Sequence, residues 1–467
     1  MKQRLLSNIF LITMAAIYLM GCNFVDIDTP GLVDSRKMFA DEQGVDDALT
    51  GVYATLKKNE LYGEHLSYGF IDEIAQLYYN DYQATPTPLT KIYDLQYLDK
   101  DVRGKIDRIW QTAYFGIYAI NNILQHTDGK NLATLQQYRA EALALRAMLH
   151  FDILRLFAPT IAHPDAPAIP YVTSASHLPS PRLTVAKCYR QIIADLEAAN
   201  QILSTTSQKK RTPTEVYING YTVKALLARV KLWGGEKEDA AKYARMVIDG
   251  PYQLVKEEQV LQLFMGYGAT SECIWLLNSP KAYIDIRRVF YPARSTATCN
   301  MVRNNYKQLF NTSAFTPINN DYRFQAYFTQ TNWGRPIVAF TKLYDKNYDE
   351  TQQWQDGRIP GINLIRLPEM YYILAESVYD TDPEAALEAL NKVVTARGLL
   401  PLSLKDIHTL ERFHQVIADE IRKEYWGEGQ IFFTYKRLNL PMEGLNGKIF
   451  KASDEVYILP QPEDEGK

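Results

Sequence analysis

Two short stretches of the sequence place flat aromatic rings next to hydrogen-bonding groups. Tyr78-Tyr79-Asn80-Asp81-Tyr82 sets an amide and a carboxylate among three phenol rings. Asn332-Trp333-Gly334-Arg335 sets an indole beside a guanidinium at a turn, and Trp354 follows in the same region. Tyrosine offers an apolar ring face and keeps a hydroxyl for water or a ligand. Such a mixture suits reversible binding of a ligand that has both flat apolar faces and polar groups. The expected ligand-binding residues are therefore Tyr78, Tyr79, Asn80, Asp81, Tyr82, Trp333, Arg335 and Trp354.

The chemistry of bond breaking lacks its usual signatures. Asp72-Glu73 and Asp46-Asp47 are adjacent acids, but a cleaving pair needs two carboxyls across a cleft at a set separation. The sequence has no Gly-x-Ser-x-Gly, His-Glu-x-x-His, phosphate-loop or dinucleotide-binding glycine pattern. His65, His126, His150, His163, His177, His408 and His414 are scattered, and the last two are spaced off one helix face. The expectation is a binding protein that is not an enzyme, with no catalytic residues, cofactor or metal.

The chain has 467 residues, with 51 basic and 54 acidic side chains, a formal net charge of −3. That balance excludes nucleic acid as the main partner, because phosphate binding needs a basic footprint. A chain 46% hydrophobic and 22% charged is globular rather than disordered. Its 32 Tyr far outnumber 18 Phe and 6 Trp. Half of them fall in residues 60–100 and 251–360, which points to a wet aromatic surface there.

The amino terminus reads as an export signal. Lys2 and Arg4 precede an apolar run from Ile9 to Met20, too short for a membrane span and of the right length for a signal-peptide core. The run ends in Leu19-Met20-Gly21-Cys22, which looks like the lipobox of a bacterial lipoprotein. Residues 1–21 are then the signal peptide, Cys22 is the lipidation site, and residues 22–467 are a single helical domain tethered to the membrane. Of the other cysteines, Cys188 falls on a helical apolar stripe and reads as a buried small hydrophobe. A Cys273–Cys299 bridge is left open.

Elsewhere the apolar period is helical, and the expected fold is mostly α with helices in pairs. Residues 139–158, 184–203, 220–249 and 369–397 carry the period, and a last helix covers roughly 407–426. Thr184 and Asp382 are expected N-caps, with Pro383 at the first helical position and Gly398 as a stop. Residues 220–249 hold two helices that break at Gly234-Gly235, and residues 369–397 two more that break near Asp382-Pro383. Ala225–Gly234 followed by Glu238–Tyr243, and Ile373–Glu376 followed by Pro383–Leu387, have the small-residue layout of tetratricopeptide repeats. Helix pairs near 105–158, 184–249 and 369–426 alternate with insertions at 60–100, 159–181 and 251–360, the last with short strand-like runs. Binding is expected in the insertions, because loops on a rigid scaffold commonly carry function. Trp110, Trp233, Trp275 and Trp426 lie on periodic segments or on ones that resemble a known family, and are expected in the core.

Taken in order, these segments resemble the SusD/RagB outer-membrane nutrient-uptake lipoproteins over nearly the whole chain. The resemblance rests on Asp26–Pro30, Ala48–Tyr53, Trp110, Tyr114, Tyr118, Asn121-Asn122, Arg139, Glu141, Arg146-Ala147 and Leu178–Arg182. It continues through Ser271–Trp275, Ile365–Glu369, Ala375-Glu376, Asn391, Arg422, Glu424 and Glu428-Gly429. The carboxyl-terminal signature departs from the family pattern at Ile431, Thr434 and Leu438, where Arg, Asp and Trp are usual. The resemblance implies a right-handed scaffold of tetratricopeptide-like helix pairs with loop-rich insertions. It also implies a cell-surface protein of the outer membrane that binds an oligomer, most often a glycan. The partner it implies is a TonB-dependent SusC-like porin, which receives the oligosaccharide for import. A peptide ligand, as in RagB-type members, and a scaffold of the porin complex that binds no ligand are the alternatives.

Overall fold

The computed structural model describes residues 38–79, 88–130, 132–176, 178–205, 213–256, 259–260, 271–280, 282–290, 301–302, 309–310, 312–313, 316–317, 321–332, 336–343, 361–444 and 447–463. The expected signal peptide, Cys22, the Asp26–Pro30 segment and Cys299 lie outside the described residues. The chain divides into two compact units, residues 1–45 and 46–467. Within the first, the Gly44 amide donates to Asp41 Oδ1 at 2.9 Å.

The second unit is built on a stack of helices. Helix α1 (Glu42–Leu56) leads into it. Then come α2 (Lys100–Thr127), α3 (Ala133–Phe157), α4 (Val185–Thr205), α5 (Gly220–Trp233) and α6 (Lys237–Ile248). After the long insertion the stack resumes with α7 (Leu367–Val378), α8 (Pro383–Ala396), α9 (Leu410–Glu424) and α10 (Ile431–Arg437). From α2 to α8 each helix packs on the one before it, and α6 packs on α7 although more than a hundred residues separate them in sequence. The 251–360 insertion is thus a side branch of one continuous stack. This is the tetratricopeptide-like layout that the small residues imply.

Local chemistry sets the helix ends. Thr184 Oγ1 accepts from the Lys187 amide at 3.4 Å, and Asp382 Oδ1 accepts from the Ala385 amide at 3.0 Å, with Pro383 at the start of α8. Gly398 follows α8 with φ +83°, the left-handed conformation that a helix stop favours and a side chain resists. Trp110, Trp233, Trp275 and Trp426 are all buried, and so is Cys188. Cys273 is buried as well. The Pro-rich 159–181 stretch carries a short strand, Pro167–Pro170, paired antiparallel with Arg182–Thr184.

The insertions contribute the strands that bear on the site. Strand β1 (Tyr78–Tyr79) comes from the first insertion. β2 (Cys273–Asn278), β3 (Met301–Val302), β4 (Phe328–Asn332) and β5 (Pro336–Phe340) come from the second, and β6 (Gly361–Arg366) runs straight into α7. β2 and β6 pair antiparallel, with Ile362 opposite Leu277 and Arg366 opposite Cys273. The other four form one antiparallel sheet in the order β1-β3-β5-β4.

Candidate functional site

That four-stranded sheet joins the two regions in which ligand contacts were expected. Its inner rings form an aromatic core. Tyr78 is fully buried, with its ring 5.2 Å from that of Phe290 and 5.6 Å from that of Phe340. Phe340 packs on Phe328, and Phe328 on Trp426 at 5.3 Å. Tyr78 is therefore a core residue and not a ligand contact, which corrects the expectation from sequence. Tyr62, Tyr68, Tyr93 and Tyr97 of the first insertion are buried too. Their hydroxyls look inward: Tyr62 donates to Asp152 Oδ2 at 2.5 Å, and Tyr97 to the Val456 carbonyl at 2.8 Å. Burial, with Asp152 beside it, raises the Tyr62 phenol above its ordinary range. Tyr is common here because the insertion needs a core of its own with a few internal hydrogen bonds.

Asn80, Asp81, Tyr82, Trp333, Arg335, Trp354 and the side chain of Tyr79 lie outside the described residues. The strands still fix where their chain segments start. Asn332 pairs with Pro336 at one end of the sheet, where β4 and β5 connect. Tyr79 pairs with Met301, which pairs with Ala339, and Ala339 pairs with Thr329 near the opposite end. Because β1 runs parallel to β5, the chain leaves Tyr79 heading away from the β4–β5 connection.

Beneath the aromatic core lies a cluster of fully buried charges. Arg366, closing β6, donates to Glu424 Oε1 at 2.8 Å and to Glu428 at 2.7 and 2.9 Å. Arg397, after α8, donates to Glu424 Oε1 at 2.8 Å and to Glu272 at 2.9 and 3.0 Å. Arg323, on the short helix Tyr322–Tyr327 before β4, donates to Asp321 and Glu420, each at 2.9 Å. Lys342, just past β5, donates to the Glu424 and Trp426 carbonyls at 2.9 Å each, and to Glu428 Oε1 at 2.5 Å. Buried charges survive only when paired and hydrogen-bonded in this way.

The electrostatics follow from the pairing. Burial pushes the Glu424 carboxyl up, but Arg397 and Arg366 outweigh it and hold the group well below the usual range. Burial acts likewise on Glu420, and Arg323 and Lys423 bring it down to about 2. Burial lowers the Lys342 ammonium to about 8 despite Glu428. Asp72 is pushed well up by burial, against the pull of amides from Gly429 and Gly427. Sequence comparison had singled out Glu272, Arg366, Glu424 and Glu428 without showing that they meet. It had missed Arg397, and also Arg323 and Lys342, which sit in a region without sustained period. The departures at Ile431 and Thr434 are accommodated: Ile431 is buried, and Thr434 Oγ1 donates to the Gln430 carbonyl at 3.0 Å.

The concavities among the described residues include one small cavity and one open groove. One, of about 60 Å³, lies between α3, α5, α7 and α10, walled by the Arg229–Glu369 and Arg437–Glu376 pairs. That is room for a few waters, far below the roughly 300 Å³ at which ligand clefts begin. The other, an open groove of about 890 Å³, is lined by Tyr97, Leu98, Phe157, Arg182 and Gln461 among others. Its tyrosine is buried, with the hydroxyl committed to Val456, so it offers a ligand no ring face.

A helix stack of this tetratricopeptide-like type is also the fold of known proteins of one class. Residues 25–232 match a family described as starch-binding and associating with the outer membrane, and residues 269–465 match the SusD family. Among solved structures, a SusD superfamily protein from Bacteroides thetaiotaomicron VPI-5482 is 25% identical. It aligns with 90% of this chain and 96% of its own at a TM-score of 0.73. A SusD-like carbohydrate binding protein from Bacteroides vulgatus ATCC 8482 is 20% identical, with 91% and 96% covered and a TM-score of 0.72. A SusD superfamily protein from Bacteroides fragilis is 19% identical, with 92% and 98% covered and a TM-score of 0.70. No curated protein is significantly similar in sequence. The chain belongs to the SusD family. Among the described residues, no helix is long and apolar enough to cross a membrane.

Proposed function

We propose that this chain is a cell-surface lipoprotein, anchored to the outer membrane through Cys22, that binds an oligosaccharide. It delivers that ligand to a TonB-dependent SusC-like porin for import, without catalysing a reaction. What supports the reading most is the match of residues 25–232 to a family described as starch-binding and associating with the outer membrane. The ligand is held by Tyr79, Asn80, Asp81, Tyr82, Trp333, Arg335 and Trp354, with sugar C–H faces on the rings and hydroxyls on the polar groups. Tyr78 is left out of this set because it is buried.

The test is a glycan array probed with the full-length protein in detergent, beside a tryptic peptide mixture passed over the same immobilised protein. Retention of a defined oligosaccharide, with no peptide enriched, is the expected result. Enriched peptides without glycan signal contradict the proposal in favour of a RagB-like uptake protein. Silence in both arms while a porin co-purifies contradicts it in favour of a scaffold.

A further inference from the structure

Both insertions reach the same six residues at the junction of α9 and α10. The second insertion arrives through Lys342, which caps the Glu424 and Trp426 carbonyls and pairs with Glu428. The first arrives through Asp72, whose Oδ2 accepts from the Gly427 amide at 2.9 Å. The junction is shaped to receive them. Gly427 has φ +82°, and a Cβ there would stand 2.6 Å from the Phe340 ring of β5. Gly429 has φ +71°, and a Cβ there would stand 2.4 Å from the Leu66 carbonyl of the first insertion. Lys342 is also tied to the base of the β4–β5 hairpin, because the Thr341 and Lys342 amides both donate to the Tyr327 carbonyl. On the far side, Arg366 and Arg397 bind Glu424 to the end of β6 and to the end of α8.

We propose that Glu424–Gly429 is the common footing of the two insertions, and that Lys342 and Asp72 are the positioning residues that hold their shared sheet on the helix stack. The inference deepens the proposed function and rests on its placement of the ligand contacts in these insertions. A segment seated from both sides transmits a loss on one side to the other. Loosening Lys342 therefore frees β1 as well as the hairpin, and loosening Asp72 frees the hairpin as well as β1. The helix stack, held by its own apolar faces, is unaffected.

Amide hydrogen exchange of the full-length protein in detergent, without ligand, tests this. In Lys342→Met, exchange is expected to rise about tenfold or more both in residues 328–340 and around Tyr78-Tyr79, with α3 and α4 unchanged. Asp72→Ala is expected to give the same pattern, and Asp72→Asn, which keeps an acceptor for the Gly427 amide, to restore protection. If Lys342→Met does not yield folded protein, the Asp72→Ala and Asp72→Asn pair makes the same comparison. Faster exchange confined to the insertion that carries the substitution overturns the proposal, as does a uniform rise that includes α3 and α4, or no rise. Joint loosening in a protein that retains no glycan contradicts the proposed function alone. Glycan binding with independently loosened insertions contradicts the common footing alone.

Discussion

Arg366, the last residue of β6, and Glu424, the last residue of α9, meet at 2.8 Å with almost no exposure, although 58 positions separate them. Glu424 also receives Arg397. Removing its charge leaves two buried guanidiniums short of a counter-ion. Glu424→Gln is expected to lower the unfolding free energy by about 3–5 kcal/mol, the range for breaking a buried pair from one side. Chemical denaturation monitored by tryptophan fluorescence checks this, since Trp426 is next in the chain but one.

Two histidines buried among the described residues, His65 and His150, make the fold acid-sensitive in a defined window. His150 is buried with Nδ1 2.9 Å from the Arg146 carbonyl, and its Nε2 accepts from the Val172 amide at 3.0 Å. That arrangement leaves no place for a second proton, and burial with Arg146 nearby lowers the group to about 3. Burial, with Lys105 and Arg108, lowers His65 to about 3 as well. The unfolded chain binds these protons near pH 6.5, so stability is full above that value and falls as pH drops toward 3. Each histidine contributes a slope of about 1.4 kcal/mol per pH unit in that range. His150→Gln is expected to remove one of the two slopes, read from urea midpoints at stepped pH.

Gly427 and Gly429 adopt positive φ, and the atom nearest an added Cβ is a ring carbon of Phe340 for Gly427 but a backbone oxygen for Gly429. A ring can shift and a main-chain carbonyl cannot. Gly429→Ala is therefore expected to destabilise more than Gly427→Ala, both by more than about 1 kcal/mol. Thermal melts of the two variants side by side give the order.

Arg146 holds Asp195 through two parallel bonds of 2.7 Å each, and its third arm reaches Asn121 Oδ1 at 2.9 Å. Tyr171 donates to the same carboxylate at 2.5 Å. A lysine places one point charge where a planar fork is needed. Arg146→Lys is expected to cost about 1–3 kcal/mol in denaturation and to leave α7–α10 protected in hydrogen exchange.

Much of the helix stack was legible in the sequence, because a 3.6-residue period and caps such as Asp382 and Gly398 act locally. Trp110 on α2 and Trp233 on α5 were legible for the same reason. The charge cluster was not, since Arg323 and Lys342 sit in a region without sustained period and meet their partners across 97 and 86 positions. The tyrosines of the first insertion misled because a phenol ring does not say who satisfies its hydroxyl. Tyr62 finds Asp152 inside the protein and Tyr97 finds Val456, where the sequence suggested water or ligand. Tyr78 is buried with no partner for its hydroxyl among the described residues.

Calorimetric titration of the array-selected oligosaccharide into wild type, Trp333→Ala and Tyr78→Phe tests the central claim most directly. The account predicts that Trp333→Ala weakens binding about tenfold or more, roughly 1.4 kcal/mol, while Tyr78→Phe binds as wild type does. Unchanged affinity in Trp333→Ala, with weakened binding in Tyr78→Phe, would contradict it.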